Sequence, residues 1–435
     1  MPFGLTQKQL AIVLIGAILV GGIGFFLYIN MGGKRNSSGV PGGDVIELTA
    51  WGPFPEAMLK DAIDSFDGAK IIYTQIEPSK YKKKLLDALA AGKGPDIYMV
   101  DSRALPQELE RIVPAPGGKI TPVEVQQLFP DVVTHDFVYE SEDGTPNIYG
   151  LPLYLDTLAL VYNKDIFNQE AVLRPPATWE EFQQVVQHLR KLNQYGQITR
   201  AAAAIGGSKK SIANAVDILN LLMLQNGTKF VDEKTGHAVF AGGRAGEEAL
   251  NFYLQFGNAG SPYYTWNDLQ GDFLQRFVDG KVAMIFAYKS QVNDILARAP
   301  FLNFAIAPVP QPEGREVDVN YPSYWGLVVS SQTREPEVAW DFVVHAATDE
   351  DAAQARITAT NLPPALKSLY EPLLNDPSYY AFVQEALTAK SWHQPDEELV
   401  QEIFSTAMQR VLAGKTDVQG ALQEAEEKLN EEVLQ

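Results

Sequence analysis

Cysteine is absent from the 435-residue chain. Its absence excludes disulfides, thiolate metal sites, a cysteine nucleophile and attachment through a lipid-modified cysteine. Histidine is scarce: the five are His135, His188, His237, His345 and His393. No two of them are spaced as His-x-x-x-His or His-Glu-x-x-His, so each reads as a surface or locally bonded ring, and neither a metal site nor a cofactor is expected. Positive charge is also short, with 35 Lys and Arg against 54 Asp and Glu. Residues 1–43 hold Lys8, Lys34 and Arg35 and no acid, which leaves 32 bases against 54 acids beyond them, or -22. A nucleic-acid surface needs clustered cations, so that class of partner is excluded. The one lysine run, Lys82-Lys83-Lys84, reads as a solvated helix face. Gly206-Gly-Ser-Lys-Lys-Ser211 lacks the first glycine of a phosphate loop and follows no strand directly.

Apolar residues make up 46% of the chain, enough at this length for two domains or one large bilobal domain. Leu10 to Ile29 carries no charge over twenty residues. That length spans a bilayer as a helix and exceeds an ordinary signal-peptide core, and no clear Ala-x-Ala site follows, so an uncleaved anchor is expected, with a cleaved signal as the competing reading. Lys34 and Arg35 outnumber Lys8, so charge alone would draw the wrong end inward. Met31 to Gly43 is rich in glycine and serine and reads as a flexible tether.

Beyond Asp44, strand and helix signals alternate as in an α/β architecture. Val45 to Trp51 reads as a strand stopped by Gly52-Pro53, and Ala57, Ala62, Ile63 and Phe66 form a helical stripe. Ile71 to Ile76 and Ile97 to Val100 read as strands. Between them lies a helix capped by Ser79 and ended by Gly92 and Pro95. Thr178-Trp-Glu-Glu181 has the form of a capping box before a helix bearing Phe182, Val185, Val186, Leu189 and Leu192. Asp96, at a strand entry after Pro95, reads as a partner of backbone donors.

Several segments occur in a characteristic order: Ala88 to Asp101, with Gly-Lys-Gly-Pro-Asp at its centre; Gly150 to Phe167, ending in Asn-Lys-Asp-Ile-Phe; and Pro175 to Phe182. Phe273-Leu-Gln-Arg-Phe-Val-Asp-Gly-Lys-Val-Ala-Met284, Phe304-Ala-Ile-Ala-Pro-Val-Pro310, Glu337 to Val343 and Asn361-Leu-Pro-Pro364 follow. Together they resemble the extracellular solute-binding proteins of ATP-binding cassette importers, particularly the sugar-binding branch. The resemblance implies a periplasmic-binding-protein-like fold of type II, with two α/β lobes, a hinge and an interlobe cleft. It also implies capture without catalysis, a small-molecule ligand of saccharide type and importer permease subunits as partners. The expected location is the cell membrane, held by the N-terminal segment with the binding domain on the extracellular or periplasmic face.

On this resemblance the chain divides into an anchor or signal at 1–30, a linker at 31–43, a first lobe at 44–153 and 309–348, and a second at 154–308 and 349–435. Crossings are expected near Leu153, Ala307 and Thr348. Rings that cover the apolar faces of a sugar and carboxylates that meet its hydroxyls are expected just after strands. These candidates are Trp51, Asp101, Tyr154, Asp156, Trp266, Tyr288, Tyr324 and Trp325. Tyr321-Pro-Ser-Tyr-Trp-Gly326 is bulkier than the Gly-Gly pair common in the family, and Ile285-Phe-Ala-Tyr-Lys289 replaces a usual Gly-x-Trp turn. Both departures loosen any transfer of sugar specificity. A sensor or adhesion module is an alternative, as is a glycoside hydrolase using Asp101 and Asp156.

Overall fold

The computed structural model describes residues 45–432 apart from 142, 233 and 395. The expected membrane segment, Leu10 to Ile29, and the tether after it lie outside the described residues. Among the described residues no helix is long and apolar enough to cross a membrane.

The chain alternates early between strand and helix: β1 (Glu47–Gly52), β2 (Lys70–Gln75), a helix at Pro78–Ala90 and β3 (Ile97–Asp101). After a hairpin of β4 (Val138–Glu140) and β5 (Pro146–Ile148), β6 (Leu151–Pro152) leads through β7 (Asp156–Thr157) into β8 (Ala159–Asn163). The strands β9 (Lys191–Leu192), β10 (Ile198–Ala203), β11 (Val282–Ala287) and β12 (Phe304–Ala307) follow, and then β13 (Pro322–Ser323) and β14 (Trp325–Val329). Two five-stranded sheets result, ordered β2-β1-β3-β14-β6 and β12-β8-β11-β10-β9. In the first, β1 runs parallel to β2 and β3 while β14 returns antiparallel. The strand β7 pairs only with β13, in a short antiparallel ribbon between the two sheets.

Local signals placed most of these elements. Gly92 adopts φ +66°, where a β-carbon would be strained, and ends the helix as expected. Asp96 Oδ2 accepts from Thr49 N and Oγ1, both at 2.8 Å, and its Oδ1 accepts from Thr333 Oγ1. Ser79 is not the cap; the helix begins at Pro78, and Ser79 Oγ instead donates to Glu77. Thr178 Oγ1 accepts from Glu181 N at 3.2 Å, but the Glu181 carboxylate reaches past its expected target to Ala177 N and Arg174.

Two hydrophobic cores carry the two lobes, and they move the expected boundaries. Leu153, Tyr154 and Leu155 pack in the first core, and Leu158 opens the second. Val309 and Tyr321 remain in the second core, so the return crossing lies at β13 rather than near Ala307. Ala352, Ala353, Leu362 and Ala365 belong to the first core, which places the third crossing well beyond Thr348. The helix Tyr380–Ala386 straddles both, giving Phe382 to the second core and Val383 to the first. Apolar periodicity marks a buried face, but it does not say which of two cores the face joins.

Asp156, on the crossing ribbon, is 2% exposed and accepts from Lys289 N at 2.8 Å and Ser290 N at 3.0 Å, the start of the helix Lys289–Arg298. Burial pushes its carboxyl up to about 6, against the opposing pull of those amides. A group whose pKa rises on folding stabilises below its unfolded value and loses that contribution as pH climbs through the folded one. The stability of the wild type minus that of Asp156→Asn should therefore fall between about pH 4 and pH 6 and level off above. Urea unfolding of both proteins across that range measures it; a difference that is flat or grows with pH refutes the assignment.

Candidate functional site

The strand β3 delivers Asp101 to the edge of the first lobe, where its Oδ1 accepts from Arg103 N at 3.0 Å and caps the 3-10 turn Ser102–Arg111. This turn folds Arg103 back, so that Nε and Nη2 meet the two Asp101 oxygens at 2.9 and 2.8 Å. The guanidinium also crosses to the second lobe, with Nη1 3.4 Å from Asp217 Oδ1 and Nη2 3.4 Å from Glu397 Oε1. Asp217 is carried inward by the helix Ala215–Gln225, which is apolar and buried nearly all round. It accepts from Tyr288 Oη at 2.9 Å and from Gln401 Nε2 at 2.8 Å. Burial and the Asp217 charge raise the pKa of the Tyr288 hydroxyl well above its ordinary value.

The network continues along the interface. Tyr321 Oη accepts from Asn220 Nδ2 at 3.2 Å and Gln394 Nε2 at 2.9 Å. Each of these amides, and that of Gln401, keeps a buried carbonyl oxygen without a partner. Such groups are costly when dry, and they collect at this lobe interface.

Beside the network opens a cavity of about 180 Å³, walled by Tyr81, Leu85, Met99, Asp101, Trp325 and Glu397. Trp325 packs edge-on to Tyr81 at 5.8 Å and to Phe54 at 5.7 Å, and Phe54 meets Tyr154 at 5.6 Å. A chain of rings thus runs from the crossing strand to the cavity wall. The arrangement presents an aromatic surface and four carboxylates, those of Asp101, Glu108, Glu397 and Glu398, to one small space, the form of a small-molecule pocket.

The predicted residues divide sharply. Asp101 and Trp325 line the cavity, and Tyr288 joins the network behind it. Tyr154 is buried at the crossing, one ring removed from the cavity. Trp51 packs half-buried against the first core and is not among the cavity's lining residues. Three candidates need correction. Trp266 has no exposure and lies in the second core, its Nε1 donating to Ser211. Tyr324 also has none, and it points into the first lobe, where its hydroxyl donates to Asp136 at 2.6 Å. Asp156 caps a helix and is not among the residues that line the cavity with Asp101. Arg103, Asp217, Glu397 and Gln401 were not foreseen; only the two-residue step from Asp101 to Arg103 was visible in the chain.

One further group brings two of the histidines together, each locally hydrogen-bonded. His135 and His393 stack at 4.5 Å beside buried Asp136, and ligating atoms of the three lie within 4.8 Å of one another. Asp136 already receives Tyr324 Oη, Ser391 Oγ and His135 Nδ1, so its acceptors are satisfied without an ion.

Comparison with known proteins identifies the family. Residues 57–381 match the family model described as bacterial extracellular solute-binding protein. The galactooligosaccharide-binding protein of Bacillus subtilis is 23% identical over 422 residues, 91% of each chain. Among solved structures, the cyclic alpha-maltosyl-1,6-maltose binding protein of Arthrobacter globiformis superposes with a TM-score of 0.73 at 20% identity, over 89% of this chain and 98% of that one. The sugar-binding protein MalE of Xanthomonas citri gives 0.72 at 21%, over 88% and 96%. With two α/β lobes, a ribbon between them and a family match over most of its length, the chain belongs to the bacterial extracellular solute-binding proteins.

Proposed function

We propose that this protein captures a saccharide between its lobes and passes it, unaltered, to the permease of an ATP-binding cassette importer. The observation that carries the reading is the cavity wall: Trp325 and Tyr81 beside the carboxylates of Asp101 and Glu397. Aromatic rings cover the C–H faces of a pyranose, while carboxylates accept from its hydroxyls. Relatives whose names specify galactooligosaccharide and cyclic maltosyl-maltose binding support the ligand class. The same cavity gives no support to hydrolysis, because Asp156, the second acid considered for it, is not among the lining residues. Residues 10–29 would hold the protein at the outer face of the cell membrane.

Isothermal titration of the full chain with malto- and galactooligosaccharides tests the site. Trp325→Ala should weaken binding by about 1 to 2 kcal/mol and Asp101→Asn by roughly 1.5 to 3 kcal/mol, whereas Tyr195→Ala, at an exposed ring, should change little. Unchanged affinity in both site variants would remove the cavity as the binding site. For the anchor, intact-mass analysis of protein recovered from membranes should find the N-terminal segment retained. A mature chain that begins between Asn30 and Asp44 contradicts it.

A further inference from the structure

The charges around the cavity do not balance. Of its four lining carboxylates, Glu108 pairs with Arg111 at 3.2 Å, and exposed Glu398 lies 3.9 Å from Lys82. Asp101 and Glu397 remain, and both depend on Arg103, which is also shared with Asp217 on the far lobe. One guanidinium serves three carboxylates. Lys209, the other cation whose field reaches Glu397, makes no ion pair with it among the described residues. Arg103 is spent mainly on Asp101, at 2.8 Å, and only approaches Glu397 at 3.4 Å; no described donor hydrogen-bonds the Glu397 carboxylate. Burial raises the carboxyl pKa of Glu397.

A second observation points the same way. Gln401 lies one helical turn beyond Glu397 on the helix Glu397–Leu412, and so on the same face. It is 3% exposed, and with its Nε2 given to Asp217 its Oε1 has no partner. Gln401 is not itself among the cavity's lining residues, but its bare acceptor stands one turn from Glu397, and of the lining residues only Lys82 is cationic, against four carboxylates. Sugar hydroxyls supply donors but leave the excess charge in place, and the half-buried Glu397 carboxylate, with one long ion pair to Arg103, gains from a second cation. A protonated amine supplies three donors and a charge, and it is attracted to the faces of Trp325 and Tyr81.

Resting on the saccharide reading above, we infer that the cleft takes a saccharide bearing a protonated amine, its ammonium held between Asp101 and Glu397 beside Trp325. Glu397 is the residue that sets this preference.

Matched sugars differing at one position test it on the full chain: glucosamine, N-acetylglucosamine and glucose, their β-1,4-linked dimers, and the corresponding galactose series, each by isothermal titration. The amine form should bind at least about tenfold more tightly than its hydroxyl or N-acetyl counterpart, as a charged hydrogen bond provides. The preference should shrink as KCl rises from about 0.05 to about 0.5 M. Glu397→Gln, checked for folding by circular dichroism, should reduce it to within about twofold. Neutral forms that bind as well as the amine forms overturn the inference, as does a preference that survives both Glu397→Gln and Asp101→Asn. If neutral maltodextrins bind and no amino sugar does, this inference falls while the saccharide reading stands. If spermidine or an amino acid binds and no sugar in any form does, both fall.

Discussion

A buried guanidinium must be matched by negative charge, and the interface between the lobes is organised around that requirement. Arg103 is 6% exposed, and its partners come from three places: the end of β3, the first turn of the helix Ala215–Gln225 and the start of the helix Glu397–Leu412. An isolated charge in such a place would be prohibitively costly, so the lobes approach in the arrangement that brings Asp217 and Glu397 to it. Tyr288, Gln401 and Gln394 then settle around the acids and around the backbone of Arg103, whose carbonyl accepts from Gln394 N at 3.0 Å.

Much of the fold was legible because its signals are local. Alternation gave β1 to β3, Gly92 and Pro95 ended a helix, and Thr178 marked the start of another. The order of short segments then gave the two-lobed plan, which no single element contains. What stayed hidden was membership: Ala352 and Val309 are apolar in any reading, and only the packed structure shows which core each joins.

The site was legible by half, and for a related reason. Of the candidates at strand ends, Asp101 at the close of β3 and Trp325 at the opening of β14 line the cavity. Tyr324 and Trp325 are neighbours on one strand entry, however, and successive side chains of a strand point to opposite faces, so both could not meet the same cleft. Trp266 follows two tyrosines and reads as part of an aromatic cluster, but its indole N–H is used inside the lobe. Glu397 lies far from Asp101 in the chain and meets it only through the third crossing, a contact that no spacing rule encodes.

The short helix Tyr380–Ala386 touches every connection between the lobes. Phe382 O accepts from Thr157 on the outgoing ribbon, and Glu385 accepts from Val309 N and, through its own carbonyl, from Asn320 on the returning one. The helix itself lies on the third passage. Three connections tied to one brace cannot turn independently: twisting one ribbon drags its anchor and thereby the others. The helix therefore couples the three passages, so that a change at one of its hydrogen-bonded anchors is transmitted to the other two.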